Sequence, residues 1–122
     1  AAHAAILEAA QSPPVIIVGH GAQYIFRERP GTFQVRLTGS VESRVPRIMA
    51  RDQVSHDEAA DRARRMDHKR QAYVQRYYRH FWADPMLFDA QFNTARMSMD
   101  EAVATVAWII TTRAAARSAH AG

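Results

Sequence analysis

The 122 residues predict a helix-rich α/β fold: a small parallel sheet with helical crossovers and one long helix. Three features point there. The run "VIIV" at residues 15–18 is β-branched and apolar on both faces, as a central parallel strand covered by helices would be. The stretch "TFQVRLTGS" alternates Phe33, Val35 and Leu37 with polar residues, the mark of a second strand with one wetter face. Two capping boxes, Ser55-His56-Asp57-Glu58 and Ser98-Met99-Asp100-Glu101, open long helices after these strands. Strands that alternate with helices favour a parallel sheet, because parallel neighbours need a crossover.

In chain order, residues 1–11 read as a helix with Ile6 and Leu7 as its sizeable apolar side chains, and Ser12-Pro13-Pro14 ends it. The 15–18 strand follows. Gly19-His20-Gly21 closes it, and residues 21–28 form a short helix stopped by Pro30-Gly31. After the second strand a helix runs from Ser40 to about Arg51; Pro46 inside it argues for a true start at Ser43, since proline is tolerated in the first turn. The helix from Ser55 extends to about Phe81, with Ala59, Ala63, Met66, Tyr73 and Tyr77 on one apolar face. Phe88 to Phe92 is a third, short strand. The last helix turns Ala102, Val103, Val106 and Ile110 to the core.

A chain of this size fits one domain, residues 1–122, and buries roughly two thirds of the surface its unfolded form exposes. Without cysteine it has no disulfide and no thiolate metal site, which leans towards a cytoplasmic setting. Its apolar runs fall short of the ~20 residues a membrane-spanning helix needs. Sixteen basic residues against twelve acidic ones give +4, and every basic residue but Lys69 is arginine. That bias, with the abundant alanine, matches codon usage in a GC-rich genome and is no argument for phosphate binding. The charge is modest and the acids are spread along the chain, which argues against nucleic acid as a partner.

Open α/β sheets place ligands outside the carboxyl ends of strands, so the Gly19-His20-Gly21 turn is a candidate site. It lacks the third glycine of a dinucleotide fingerprint, because Tyr24 stands there. A phosphate loop needs Gly-Lys-Ser/Thr, and Lys69 is followed by Arg70, so no such loop is in this sequence. "RARRMDHKR", residues 62–70, places Asp67 three residues from both Arg64 and Arg70. Arg70 either forms a structural salt bridge with Asp67 or meets an anionic ligand. His68 and His80 lack metal-ligand spacing. Tyr73, Tyr77, Tyr78, Phe81 and Trp82 read as packing rather than a base-stacking platform.

Three stretches in this order, "VIIVGHGAQYIFRERPGTFQVRLTGSVESRVPRIM", "ARRMDHKRQAY" and "WADPMLFDAQFNTARMSMDEAV", resemble the cytidylate kinase-like family of the P-loop nucleoside monophosphate kinase group. The resemblance runs from about Val15 to Ile110. It implies a parallel sheet wrapped by helices and an arginine-bearing lid, here about residues 52–82. It also implies that His20 stands where cytidylate kinases carry the arginine that meets the acceptor phosphate, with Gly21 in place of their aspartate. The lid pattern Arg-x-x-x-Asp-x-x-Arg matches at Asp67 and Arg70, the acceptor contacts; its first arginine falls on Ala63, with Arg64 one place on. Arg44 and Arg47 align with a pair near the donor phosphates. A neutral histidine cannot make the two-pronged contact of a guanidinium.

On this resemblance the chain is the carboxyl-terminal part of a kinase-like domain, contributing acceptor and lid residues to transfer onto a nucleoside monophosphate. Arg64 and Arg70 would be its catalytic cations. ATP and Mg2+ are then expected only with a phosphate loop ahead of Ala1, and the chain alone should be nearly inactive. The alternative is a noncatalytic, kinase-derived module that binds a nucleotide or a protein, its sheet completed by a second copy or a fused segment.

Overall fold

The computed structural model describes residues 2–12, 14–19, 21–79 and 84–121. It contains α1 (Ala2–Ala9), α2 (Ala22–Ile25), β1 (Val35–Thr38), α3 (Val41–Asp52), α4 (His56–Tyr78), β2 (Ala90–Asn93) and α5 (Met99–Ala121), with a single 3₁₀ turn at Pro85–Leu87. Helices dominate, and the sheet is the parallel pair β1–β2, with Val35 opposite Ala90 and Thr38 opposite Asn93. The expected fold class is therefore the observed one. The chain divides into two compact units: Ala1–Gln34 with Arg64–Asp89, and Val35–Ala63 with Ala90–Gly122.

In the first unit, Ile6 and Ala10 pack on Phe26, with Ile17, Ala22 and Ile25 around them. Arg29 closes this cluster: its Nη2 donates to the Ala10 carbonyl at 3.0 Å, and its guanidinium lies 5.5 Å from the centre of the Phe26 ring. A cation over an aromatic face that also satisfies a carbonyl just past a helix end serves two otherwise costly groups at once. Gln34 and Asp89 bind each other through Gln34 N to Asp89 Oδ2 at 2.7 Å and Asp89 N to the Gln34 carbonyl at 2.8 Å.

The expected central strand is absent. Residues 15–18 join no ladder among the described residues, and Ile16 and Val18 are 91% and 83% exposed. Ile17 packs against the core of the first unit while its neighbours are exposed. β propensity selects a conformation; a strand also needs a partner for its backbone.

In the second unit, α3 packs on the first half of α4. Val45 and Ile48 meet Ala59, Ala60 and Ala63, with Val41, Met49 and Val54 at the margin. Three alanines on α4 present almost no side-chain bulk, so the larger residues of α3 fill the contact alone. The start of α3 is at Val41, not Ser43, because Ser40 caps it: its Oγ accepts from Ser43 N at 3.1 Å. Pro46 then sits in the second turn and forfeits one helical hydrogen bond, which the cap and the buried Val45 and Ile48 outweigh.

Both helices are capped where the sequence places the caps. Ser55 Oγ accepts from Glu58 N at 3.2 Å, while Glu58 Oε1 accepts from Arg62 Nε. At α5 the exchange is reciprocal: Ser98 Oγ accepts from Glu101 N at 3.1 Å, and Glu101 Oε1 accepts from Ser98 N at 3.0 Å. The latter bonds hold the Glu101 carboxyl below its usual range. Beyond its cap α5 departs from expectation, since Ala102 is buried whereas Val103 and Ile110 are 64% and 48% exposed. The covered side of α5 runs instead through Ala102 and the half-buried Val106 and Ile109.

An ion-pair network links the end of α3 to the start of α4. Asp52 accepts from Arg51 Nε at 2.8 Å and from Arg62 Nη1 at 3.0 Å, and Arg62 Nε donates to Glu58 at 3.0 Å. The Arg51 hydrogen bonds, reinforced by Arg62 against partial desolvation, pull the Asp52 pKa down to about 2. A depressed carboxylate stabilises the fold above its ordinary value of 3.8, and that stability is lost as pH falls towards the folded value. Asp52→Asn should flatten the fall in melting temperature between pH 4 and pH 2. Ser98→Ala should cost about 1 kcal/mol in urea unfolding at neutral pH, the usual worth of such a cap.

Candidate functional site

α4 carries the residues singled out by the sequence, and its helical period sorts them. Ala59, Ala60, Ala63 and Val74 are buried, and Asp67 is half-buried on the same side. Met66 and Tyr77, expected on the apolar face, are 38% and 60% exposed. The covered stripe is narrower and rotated away from them, because the alanines rather than the larger residues meet α3.

Asp67 and Arg70 come together, with Arg70 Nη1 4.0 Å from Asp67 Oδ1. The pair is loose. Arg70 keeps a half-exposed side chain beside the less exposed Asp67. Such a guanidinium is held in place yet can accept a second anion.

Arg64, six residues from Arg70, projects about 120° away around the helix axis. It lines a shallow concavity of about 390 Å3 with Arg65, His68 and Lys69. Nothing in the sequence marked Arg65, His68 and Lys69 as its companions except their i, i+1, i+4 and i+5 spacing.

Ala63 holds the position where the family resemblance implies a first lid arginine. It is fully buried against α3, where a guanidinium would have neither room nor water. At Arg64 the charge points outward instead.

Gly21 opens α2 with a left-handed backbone, φ +71°, and a Cβ there would run into the Tyr78 ring. That ring also stacks on Tyr24, with centroids 4.8 Å apart and planes 16° from parallel. Neither tyrosine was singled out as part of the site, and only the glycine hinted at a close approach. Burial pushes both phenols above their usual range; Asp84 adds to this for Tyr24 and Tyr73 for Tyr78. His20, Phe81 and Trp82 lie outside the described residues.

In the second unit, β1 leads through Gly39 into α3, the strand–turn–helix order at the carboxyl end of a parallel strand. A Cβ on Gly39 would meet Thr94 Oγ1 and Ser43 Oγ. Thr94 is tied to β1 by bonds from its N (2.7 Å) and Oγ1 (2.9 Å) to the Thr38 carbonyl. Arg44 is half-buried, its Nε donating to the Ser40 carbonyl at 3.3 Å, while Arg47 is exposed. Among the described residues no group of three or more His, Asp or Glu side chains could hold a metal ion.

A small parallel sheet, a long cation-bearing helix and strand-end turns define a kinase-like α/β protein. The chain belongs to the cytidylate kinase-like family, whose sequence pattern matches residues 1–96. Its fold is similar to the crystal structure of an uncharacterized protein from Eubacterium ventriosum ATCC 27560, with a TM-score of 0.73 and 24% sequence identity. The likeness covers 79% of this chain and 54% of that one, so this chain spans about half the length of the solved structure. No curated protein matches the sequence. No described helix is long and apolar enough to cross a membrane.

The Ala63 environment makes a direct prediction. Ala63→Arg should cost on the order of 3 kcal/mol in urea unfolding, because it overpacks the α3 contact and buries a charge.

Proposed function

We propose that the chain supplies the acceptor-nucleotide and lid groups of a nucleoside monophosphate kinase-type phosphotransferase, with a cytidylate-like nucleotide as acceptor. One observation carries this reading: in a chain of the cytidylate kinase-like family, Asp67 and Arg70 sit together on the long helix, loosely paired and open to solvent. Arg70 would grip the acceptor phosphate through two parallel N–H donors, and Asp67 would hold that guanidinium or orient the base. His20 and Gly21 would line the acceptor side, and Arg64 would offset charge as the phosphoryl group migrates. Positioning and charge neutralisation are what such a transfer asks of a protein.

ATP with Mg2+ is the donor such a reaction takes in a cytoplasmic setting. The groups described here do not fit it: no metal-holding cluster is present among the described residues, and the only lysine lies on the open face of α4. Arg44 and Arg47 are the chain's donor-side candidates. A second copy or a fused segment would complete the two-stranded β1–β2 sheet. The missing Gly-Lys-Ser/Thr loop favours a second reading, in which the chain binds a nucleotide without transferring phosphate.

Thermal melting with CMP tests the acceptor assignment. At 100 times its Kd, a specific ligand stabilises the fold by about 2.7 kcal/mol, a rise of several degrees. Arg70→Ala should weaken CMP binding by roughly 1.5–3 kcal/mol, the usual worth of a hydrogen bond to a charged group, with little change in the unliganded melting temperature. Millimolar CMP that leaves the wild-type melt unmoved would sink the proposal. Phosphate transfer from ATP to CMP by these 122 residues at an ordinary kinase rate would overturn the assignment of the donor site to other residues.

A further inference from the structure

We infer that Tyr78 is a positioning residue: its ring, seated on Gly21 and against Tyr24, fastens the end of α4 to the Gly19–Gly21 turn, so that the helix bearing Asp67 and Arg70 moves with that turn. The functional part of this inference rests on the acceptor-site reading above; the mechanical part does not.

The seat has two walls. Gly21 forms the first, since the Tyr78 ring fills the volume where any other residue would carry its Cβ. Its left-handed φ of +71° turns the backbone towards the ring, a conformation that glycine adopts without strain. Tyr24, three residues further on and 8% exposed, forms the second wall through its near-parallel stack. A planar ring matches both surfaces, and offset stacking adds to the area it buries.

The helix end is shaped for the same contact. Tyr78 is the last residue of α4, and Arg79 after it takes a left-handed φ of +51° while its N–H still donates to the Gln75 carbonyl at 3.1 Å. A non-glycine residue in that region is strained and persists only where its surroundings hold it. The seated ring is such a surrounding. Asp67 and Arg70 lie two to three turns upstream on the same helix, so a change in the turn that shifts the ring also shifts their approach to a ligand.

Two sets of variants test this. In a cycle of Gly21→Ala, Tyr78→Ala and the double variant, the backbone strain of alanine at position 21 is common to both backgrounds and cancels. Gly21→Ala should therefore lower the melting temperature by at least about 3 °C less when the ring is gone. Additive shifts would overturn the seat.

In the second set, Tyr78→Phe keeps the ring and Tyr78→Leu keeps comparable apolar bulk without it. Tyr78→Phe should bind CMP within about twofold of wild type, and Tyr78→Leu, with an unchanged circular dichroism spectrum, roughly tenfold more weakly. Wild-type affinity in Tyr78→Leu would overturn the positioning role. If wild type itself fails to bind CMP, the acceptor reading falls and hydrogen exchange of residues 71–78 decides the mechanical link. Faster exchange in Tyr78→Leu than in Tyr78→Phe supports the link, and equal exchange overturns it.

Discussion

The parallel pairing of Val35–Thr38 with Ala90–Asn93 is the constraint from which the architecture of this chain follows. Two antiparallel strands can be joined by a tight turn, whereas a parallel pair must carry the chain back to the starting edge before the second strand begins. Here the return includes α3 and α4, and α4 is the element that bears Asp67, Arg70 and the concavity lined by Arg64. The backbone geometry of eight residues thus requires a crossover, and the crossover provides the charged helix.

α4 meets two demands with different faces. Its buried side is nearly bare, three alanines under Val45 and Ile48, and gains stability from close approach rather than from its own bulk. Its outer side carries cations whose heads stay in water. Asp67 sits between these regimes, half-buried, where a carboxylate can orient a neighbouring guanidinium without being sealed from solvent. The modest ion-pair distance follows from that position, since an exposed pair gains little from tighter contact.

Much of this was legible from residue order because it is local. The caps at Ser55 and Ser98 declare themselves through three-residue spacing, and the serine bonds they predict are present, with the reciprocal glutamate bond at Ser98. The strand through Val35 and Leu37 and the one near Phe92 likewise joined the ladder, although Leu37 is 50% exposed and Arg36 half-buried, the reverse of the alternation. Failures came where a contact depends on distant chain. Whether "VIIV" becomes a strand depends on a neighbour for its backbone, and no pattern within four residues reports one. Val103 and Ile110 have the spacing of a buried face, but spacing does not say what covers them. Met66 and Tyr77 misled for a related reason: their size suggested a core, while the helix turned its small residues inward. The Asp67–Arg70 pair could be read from i, i+3 spacing, whereas the Tyr24–Tyr78 stack, fifty-four residues apart in sequence, could not.

The exposed face of residues 15–18 bears on how the chain behaves in a crowded solution. Four β-branched residues outside any ladder, two of them almost wholly bare, are the raw material of cross-β stacking. Steric zippers need roughly six or seven such residues in a row, and here Pro14 on one side and Gly19 on the other cut the run to four. Proline cannot donate to a growing ladder and glycine adds no side chain to interdigitate, so the two act as gatekeepers against self-templating.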